Sequence, residues 1–240
     1  MRNRRAAAAR DRAGRRRLEP RLHDTDWAIL RQMRRAVDSV AQRLAREGMQ
    51  VLDLGCGNMP YAPLFTARGA RYRGADLEDA ELIIGLDGRV PLPDASMDLL
   101  LSFQVLEHVA DLDAYLGEAR RLLRPNGRMI LSTHGNWLYH PHPEDHRRWT
   151  AEGLRHEIET RGFEMLECTP LVGPLAWTTM IRLTCLVHVL RALPLLGWPL
   201  SILAAWVMNL RALVEDRITP RWVTRDNACV YLTVSRPRRV

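Results

Sequence analysis

The sequence feature that most constrains this 240-residue chain is residues 50–57, Gln-Val-Leu-Asp-Leu-Gly-Cys-Gly. Apolar residues, one acid and two glycines within eight positions predict a buried strand that ends in a tight turn. Glycine lets the backbone turn sharply and approach a ligand closely. Because ligands bind at the carboxyl ends of strands in an open parallel sheet, we expect a binding site at this turn.

Strands and helices alternate along the chain at a spacing typical of a parallel, doubly wound sheet. The apolar periodicity predicts an α/β fold with a mostly parallel, seven-stranded sheet. Beyond the first strand, we predict strands over residues 70–75, 82–86, 97–103, 128–133, 163–168 and 228–235. We predict helices over residues 24–47, 61–68, 111–123 and 150–161, and a turn at residues 125–127.

Residues 171–214 interrupt this alternation with an apolar segment. Residues 192–210 hold no charge over 19 positions, close to the ~20 residues of a membrane span, but Pro194 and Pro199 interrupt them. We expect two short helices that form a lid, a dimer face or a monotopic membrane surface, and a core-packed helical extension is the alternative. The predicted organisation is a basic, disordered arm (1–19), a main domain (20–170 and 226–240) and a hydrophobic helical insertion before the last strand (171–225).

The positive charge is concentrated at the N-terminus. Residues 1–17 hold eight arginines and one acid, whereas residues 18–240 hold 27 arginines and 27 acids. Such an arm suits an anionic membrane surface, but without interleaved aromatic residues we expect no specific nucleic acid partner. Four separated cysteines predict reduced thiols, and the arm lacks the apolar core of a secretory signal. We therefore expect a cytoplasmic protein, with peripheral attachment to the inner face of the membrane as a further possibility.

The turn after the first strand departs from a dinucleotide fingerprint, which requires a third glycine. Pro60 stands at that position, and Asp53 before the turn disfavours a diphosphate, so a nicotinamide-dependent oxidoreductase is disfavoured. Asp76 follows the second strand, where a carboxylate can bind ribose hydroxyls. The residues predict a nucleoside that carries a positive group and no phosphate, a description that S-adenosylmethionine fits.

Residues 51–57 resemble the first motif of class I S-adenosylmethionine-dependent methyltransferases, in particular the methyltransferase type-11-like proteins. Residues 90–98, 106–109 and 121–127 are similar to further segments of that family. The resemblance implies a Rossmann-like fold and the cofactor S-adenosyl-L-methionine. An ordinary turn is the alternative for residues 87–88. By resemblance, the cofactor-binding residues are Asp53, Gly55, Cys56, Gly57, Asp76, Leu77, Asp87, Gly88, Phe103 and Gln104.

Two histidines are candidate catalytic residues, because a hydroxyl acceptor benefits from a base that titrates near neutral pH. His108 follows the fourth strand, although a structural role is the alternative. Residues 145–154 resemble a type-11-like methyltransferase segment, in which His146 is the second base candidate and Arg148 and Trp149 help to form the acceptor pocket. The alternative is that Asp145 and Arg148 pair and only shape the loop.

The histidine-rich segment 140–146 does not predict a metal site. Its prolines keep the backbone extended, and no matching Cys/His pair lies at zinc-site spacing. We predict a methyltransferase whose acceptor is unidentified: a small molecule, a glycan or a lipid-linked hydroxyl. The alternative is a non-catalytic S-adenosylmethionine-binding or scaffold protein, and we expect that the insertion can form a homodimer.

Overall fold

The computed structural model describes residues 14–141 and 144–238, so most of the predicted arm and His142 lie outside the described residues. The strands are β1 (Gln50–Leu54), β2 (Arg71–Asp76), β3 (Leu82–Ile83), β4 (Met97–Phe103), β5 (Leu123–His134), β6 (Phe163–Leu171) and β7 (Val230–Pro237). The main helices are α1 (Trp27–Leu44), α2 (Ala62–Thr66), α3 (Leu112–Leu122), α4 (Ala151–Thr160), α5 (Pro174–Arg191), α6 (Gly197–Ile218) and α7 (Arg221–Asp226).

The seven strands form one sheet in the order β3-β2-β1-β4-β5-β7-β6. The pairs β2–β3, β1–β2, β1–β4 and β4–β5 are parallel. The sheet confirms the predicted Rossmann-like, mostly parallel fold. The strand order reverses beside β1, so its carboxyl edge against β4 is the crevice where ligands bind in such sheets.

Sequence signals set the ends of the helices that flank this crevice. Asp111 accepts a hydrogen bond at 2.9 Å from the amide of Ala114, which caps the N-terminus of α3. Thr150 accepts one at 3.0 Å from the amide of Gly153 and caps α4. Such caps satisfy amides that have no partner within the helix.

The predicted turn at residues 125–127 is wrong. Strand β5 begins at Leu123, directly after α3, and residues 125–127 belong to it. Leu123 pairs with Met97 and Arg128 pairs with Leu99, so β5 advances by five residues where β4 advances by two. The Pro-Asn-Gly sequence is therefore taken up by a bulge, which local turn chemistry alone does not reveal.

The chain forms two compact units, of which the larger comprises Ala36–Thr169 and the residues from Tyr231 onward. This unit holds most of the sheet and the strands that frame the crevice. Residues 52, 99, 100 and 101 of β1 and β4 are almost completely buried. Apolar strands buried on both faces are typical of a parallel sheet covered by helices.

The second unit comprises the residues up to Arg35 and Pro170–Val230. Its main feature is the hairpin, which we define as α5 and α6 with the connecting residues 192–196. The prediction of two short helices is wrong, because α5 has 18 residues and α6 has 22. Asp216 near the end of α6 accepts a hydrogen bond at 2.8 Å from the amide of Gly173, just before α5. Among the described residues, α6 is the one helix long and apolar enough to cross a membrane by length and composition.

Candidate functional site

The turn after β1 has the backbone conformation that its glycines predict. Gly55 and Gly57 have φ angles of +75° and +51°, a region that residues with a Cβ rarely adopt. A Cβ on Gly55 would lie 2.6 Å from Cγ2 of Val105, so the glycine also makes room for the Val105 side chain. A Cβ on Gly57 would meet nothing within 4 Å, which leaves room for a ligand beside this residue.

Two carboxylates give this turn a negative potential. Asp53 is 2% exposed and accepts a hydrogen bond at 2.6 Å from the hydroxyl of Tyr72. Burial, together with the charges of Asp53 and Asp76, raises the pKa of the Cys56 thiol to about 12. Cys56 is therefore a neutral thiol, and the same field favours a cationic ligand group beside the turn.

Asp76 links the ends of β1 and β2. Its Oδ2 accepts a hydrogen bond from the amide of Gly57 and its Oδ1 accepts one from the amide of Leu77, each at 2.8 Å. Carboxylate oxygens have further acceptor capacity, so these bonds orient Asp76 and still allow it to bind hydroxyl groups. The Leu77 side chain is 66% exposed and offers an apolar surface next to the carboxylate.

Residues 85–89 form a tight turn, which is the alternative considered for Asp87 and Gly88. The amide of Gly88 donates to the carbonyl of Gly85 at 2.9 Å, and Asp87 Oδ1 accepts from the amide of Arg89 at 3.1 Å. Asp87 is exposed, and together with Ile83 it lines an open cavity. The cofactor roles of Asp87 and Gly88 stay predictions.

The end of β4 carries backbone strain at Gln104, one of the predicted cofactor-binding residues. Gln104 has a φ angle of +58°, and its amide and side chain donate to the backbone oxygen and to Oγ of Ser132 at 2.9 and 3.1 Å. Strained residues held by their surroundings concentrate at functional sites. Phe103 lies edge-on to the ring of Tyr61 at 5.1 Å, which fixes the wall beside it.

The segment that follows β4 contributes to a buried Glu–His pair, which the sequence did not predict. Glu107 is 0% exposed, and its Oε1 lies 3.0 Å from Nδ1 of His134 at the end of β5. Its Oε2 accepts a hydrogen bond at 2.8 Å from the hydroxyl of Thr133. Burial alone would raise the pKa of Glu107, but His134, Thr133 and a backbone hydrogen bond lower it overall, so the carboxyl group is ionised.

His108 and His140 join His134 in a cluster of three imidazole rings. The centroid of the His140 ring lies 4.8 Å from that of His134 and 4.9 Å from that of His108. Burial, followed by the nearby His134 and His108, lowers the pKa of His140 to about 4, so this ring is neutral at pH 7. The cluster thus combines titratable groups from the ends of β4 and β5 at the carboxyl edge of the sheet.

The predicted catalytic residue His108 has a defined tautomer in this arrangement. Its Nδ1 lies 2.5 Å from the carbonyl oxygen of Glu144, and a carbonyl can only accept a hydrogen bond. Nδ1 therefore carries the proton in the neutral ring, and the lone pair is on Nε2. His146, the second candidate, places Nε2 3.0 Å from a carboxylate oxygen of Glu144 and donates its amide to the carbonyl of Glu107 at 2.9 Å.

The predicted acceptor-pocket residues Arg148 and Trp149 have structural positions. Arg148 forms a bidentate pair with the buried carboxylate of Asp145, at 2.5 and 2.7 Å, and lowers the pKa of that carboxyl group. It also donates to backbone carbonyls, including that of Leu138 at 2.9 Å. These contacts agree with the alternative considered, in which Arg148 shapes the loop, and the acceptor-pocket roles of Arg148 and Trp149 stay predictions. Trp149 lies in the core, and its amide donates to the carbonyl of His134 at 3.1 Å.

The Glu107–His134–His140 group is also a possible donor set for a divalent metal ion. One donor atom from each residue lies within 4.8 Å of the others. Two imidazoles and a carboxylate are ligands that transition metals accept. That no metal binds here stays a prediction. The spacing of histidines along the sequence does not reveal this group of donors, because its carboxylate follows a different strand. The sequence gives no sign that Glu107 and His134 are neighbours, because it is the parallel pairing of β4 with β5 that brings them together.

A family model described as "Methyltransferase domain" matches residues 29–168. A probable S-adenosylmethionine-dependent methyltransferase of Mycolicibacterium smegmatis is 34% identical over 146 residues, covering 52% of this chain and 57% of that protein. A ubiquinone biosynthesis O-methyltransferase of Mesorhizobium japonicum is 29% identical over 120 residues, covering 40% of this chain and 48% of that protein. The chain thus spans about half the length of these curated relatives.

Solved structures agree on the fold. A chain in the complex between the Haloferax volcanii Trm112 methyltransferase activator and the putative methyltransferase is similar with a TM-score of 0.56. The sequence identity is 20%, and the match covers 94% of this chain and 97% of that chain. Because the family model matches more than half of the residues, the chain belongs to the methyltransferase-domain family.

Proposed function

We propose that the protein is an S-adenosylmethionine-dependent methyltransferase that acts on a hydroxyl acceptor. The observation that carries the proposal is the negative, open turn after β1, beside which the strained end of β4 leads into a cluster of three imidazoles. This edge of the sheet thus offers a place for a cationic nucleoside and, next to it, groups that can accept a proton. The acceptor itself is a small molecule, a glycan or a lipid-linked hydroxyl.

The residues of the crevice fit the proposed cofactor. S-adenosylmethionine, when bound, supplies an electrophilic methyl group on a positively charged sulfur. The carboxylates of Asp53 and Asp76 would favour that positive charge; after burial, their charges are also causes of the raised pKa of Cys56. Asp76, oriented by its hydrogen bond with the amide of Gly57, would accept hydrogen bonds from the ribose hydroxyls. The space beside Gly57 would take the ligand, and the exposed Leu77 would lie against the adenine.

His108 is the residue that we assign to proton transfer. The contact of its Nδ1 with the Glu144 carbonyl leaves the basic lone pair on Nε2, which takes the proton of the acceptor hydroxyl. A positioned base of this kind contributes about 10²–10⁴-fold to a rate. The remainder of the catalysis comes from aligning the acceptor oxygen with the methyl group, for which the rigid ends of β4 and β5 provide the frame.

An oxygen acceptor is supported by the cluster and by the relatives. A hydroxyl acceptor must lose its proton, and a titratable imidazole can accept it. In addition, the Mesorhizobium japonicum relative is named as an O-methyltransferase. The non-catalytic alternative, a protein that binds S-adenosylmethionine or serves as a scaffold, requires no such base.

The proposal is tested in two stages, binding and transfer. In calorimetry, the full chain should bind S-adenosylhomocysteine, Asp76→Ala should weaken this binding at least ten-fold, and Glu152→Ala, an exposed acid on α4, should leave it unchanged. Failure of the wild-type protein to bind would refute the cofactor assignment. Labelled S-adenosylmethionine is then incubated with fractionated lysate of the source cells. Label in an ether bond supports the proposal, label on nitrogen or carbon refutes the hydroxyl acceptor, and binding without transfer favours the non-catalytic alternative.

A further inference from the structure

We propose that the hairpin is a monotopic membrane anchor, whose tip and outward face of α6 insert into the interfacial region of an anionic lipid bilayer. This inference does not rest on the proposed function. It comes from a pattern of burial, from the absence of acidic residues in the hairpin tip and from the distribution of charge between the two units.

Helix α6 buries its small residues and exposes its large ones. Its buried residues recur about every four positions and are Gly197, Ser201, Ala205, Asn209 and Ala212. The exposed side chains lie on the opposite face and are Leu200, Leu203, Trp206, Val207, Leu210, Val214 and Ile218. A helix in water normally turns its large apolar residues inward, whereas small residues between helices and apolar residues outward are typical of packing in lipid.

The inward face of α6 packs against α5 without using the exposed apolar residues. Ala205 belongs to a buried cluster with Leu183 and Val187 of α5, and Met208 packs against it. Only 28% of the most apolar stretch of α6 is buried, whereas a core helix of the same composition would be mostly buried. The apolar face is therefore free to meet a bilayer.

The tip of the hairpin continues this face. Leu195 is 97% exposed and Trp198 is 69% exposed, and all five connecting residues 192–196 are exposed. Tryptophan prefers the boundary between hydrocarbon and water, which suits a helix that lies in this layer. An amphipathic helix in such a position buries its apolar face about 5–10 Å deep.

The distribution of charge identifies an anionic surface as the partner. Among the described residues, the unit that contains the hairpin holds 13 arginines and six acidic residues, a net charge of +7, whereas the other unit holds 16 arginines and 21 acidic residues, a net charge of −5. The stretch between Glu167 and Glu215 contains no acidic residue. It does contain the exposed arginines Arg191 and Arg211, and the half-buried Arg182. Each arginine close to an anionic membrane adds about 1 kcal/mol of attraction.

A second copy of the chain is the competing occupant of the same apolar face. It explains the exposed leucines and tryptophans equally well. Two copies, however, would bring together two units whose described residues each carry a net charge of +7, and this repulsion opposes association through the hairpin. An anionic lipid surface would both cover the apolar face and attract the positive charge. We therefore assign the apolar face of α6 to a lipid surface.

The experiment is flotation of the full chain with liposomes of phosphatidylcholine containing 30% phosphatidylglycerol, compared with phosphatidylcholine alone. We expect binding to the anionic liposomes that weakens with added salt. Trp198→Glu and Leu195→Glu should each reduce binding at least ten-fold, and Arg191→Gln about five-fold, the equivalent of ~1 kcal/mol. The control is Leu86→Glu, an equally exposed apolar residue of the other unit, which should bind like the wild type.

Three outcomes would overturn the proposal. The first is a wild-type protein that does not float with anionic liposomes at low salt. The second is unchanged flotation of Trp198→Glu and Leu195→Glu. The third is a stable dimer in light scattering that Trp198→Glu dissociates, with no liposome binding, which would assign the face to a second copy. Circular dichroism and unchanged S-adenosylhomocysteine binding verify that the variants are folded, and they keep this test separate from that of the proposed function.

Discussion

Glu107→Gln isolates the contribution of the buried Glu–His pair to stability. The carboxylate contacts His134 at 3.0 Å and accepts a hydrogen bond from Thr133 at 2.8 Å, and the residue is 0% exposed. Glutamine has nearly the same shape, so no cavity is created and only the charge and one acceptor are lost. A hydrogen bond to a charged group contributes about 1.5–3 kcal/mol, and leaving a buried polar group without its partner costs about 1–3 kcal/mol. We expect the free energy of unfolding to fall by ~2–4 kcal/mol at pH 7.

The pH dependence gives this prediction a sign. The pKa of Glu107 is lowered in the folded protein, so its stabilising effect is complete above the unfolded value of ~4.3 and is lost as the pH falls through the lower folded value. The difference between the wild type and Glu107→Gln should therefore shrink below about pH 4, because glutamine does not titrate. Urea unfolding, followed by tryptophan fluorescence at pH 7 and at lower pH, measures this difference.

Glu118→Gln is the matched control. Glu118 is also buried, and it pairs with Arg121 at 2.6 Å and accepts from the amide of Val90 at 2.8 Å. Both variants should lose stability, but only Glu107→Gln should shift the NMR titration of the cluster histidines. A loss below 0.5 kcal/mol for Glu107→Gln, or a difference that grows as the pH falls, would refute the assignment of an ionised, stabilising carboxylate.

Two further predictions concern the crevice. Gly55→Ala should destabilise the protein by ~2–5 kcal/mol in urea unfolding, since the positive φ costs ~1–2 kcal/mol and overlap with Val105 adds ~1–3 kcal/mol. Gly57→Ala should lose only the ~1–2 kcal/mol that the positive φ costs. Equal losses of stability for Gly55→Ala and Gly57→Ala would contradict the overlap with Val105. His108→Gln should lower kcat by about 10²–10⁴ and leave S-adenosylhomocysteine affinity unchanged. His146→Gln serves as the comparison, and a kcat for His108→Gln that matches the wild type would exclude His108 as the base.

The sheet and the nucleoside crevice are predictable from the sequence because their signals are local. Apolar runs, helix caps and the glycine pair each act within a few residues, and the resulting parallel sheet is confirmed by the structure. The start of β5 is not local in this sense. Whether residues 125–127 form a turn or a bulge depends on the pairing of Met97 with Leu123, which no periodicity encodes.

The Glu107–His134 pair was not predicted from the sequence, whereas the orientation of α6 was left open between an exposed apolar surface and a core-packed extension. The two members of the pair are 27 positions apart and meet because β4 and β5 are neighbours in the sheet. In α6, the leucines and tryptophans by themselves fit either alternative, and the structure turns them outward. Their outward orientation follows from the small residues between them, which let α6 approach α5 closely.

The position of β7 has a consequence for how the chain assembles. In the sheet, β7 lies between β5 and β6, but 58 residues separate the end of β6 from its start. Closing a flexible loop of that length costs ~2 kcal/mol more entropy than closing one of ~6 residues. A helical hairpin tied at its base by Asp216 and Gly173 shortens the effective loop, because it forms from local contacts and returns the chain close to where it left. The hairpin is thus also a folding device, which offsets the entropic penalty of inserting the last strand between two others.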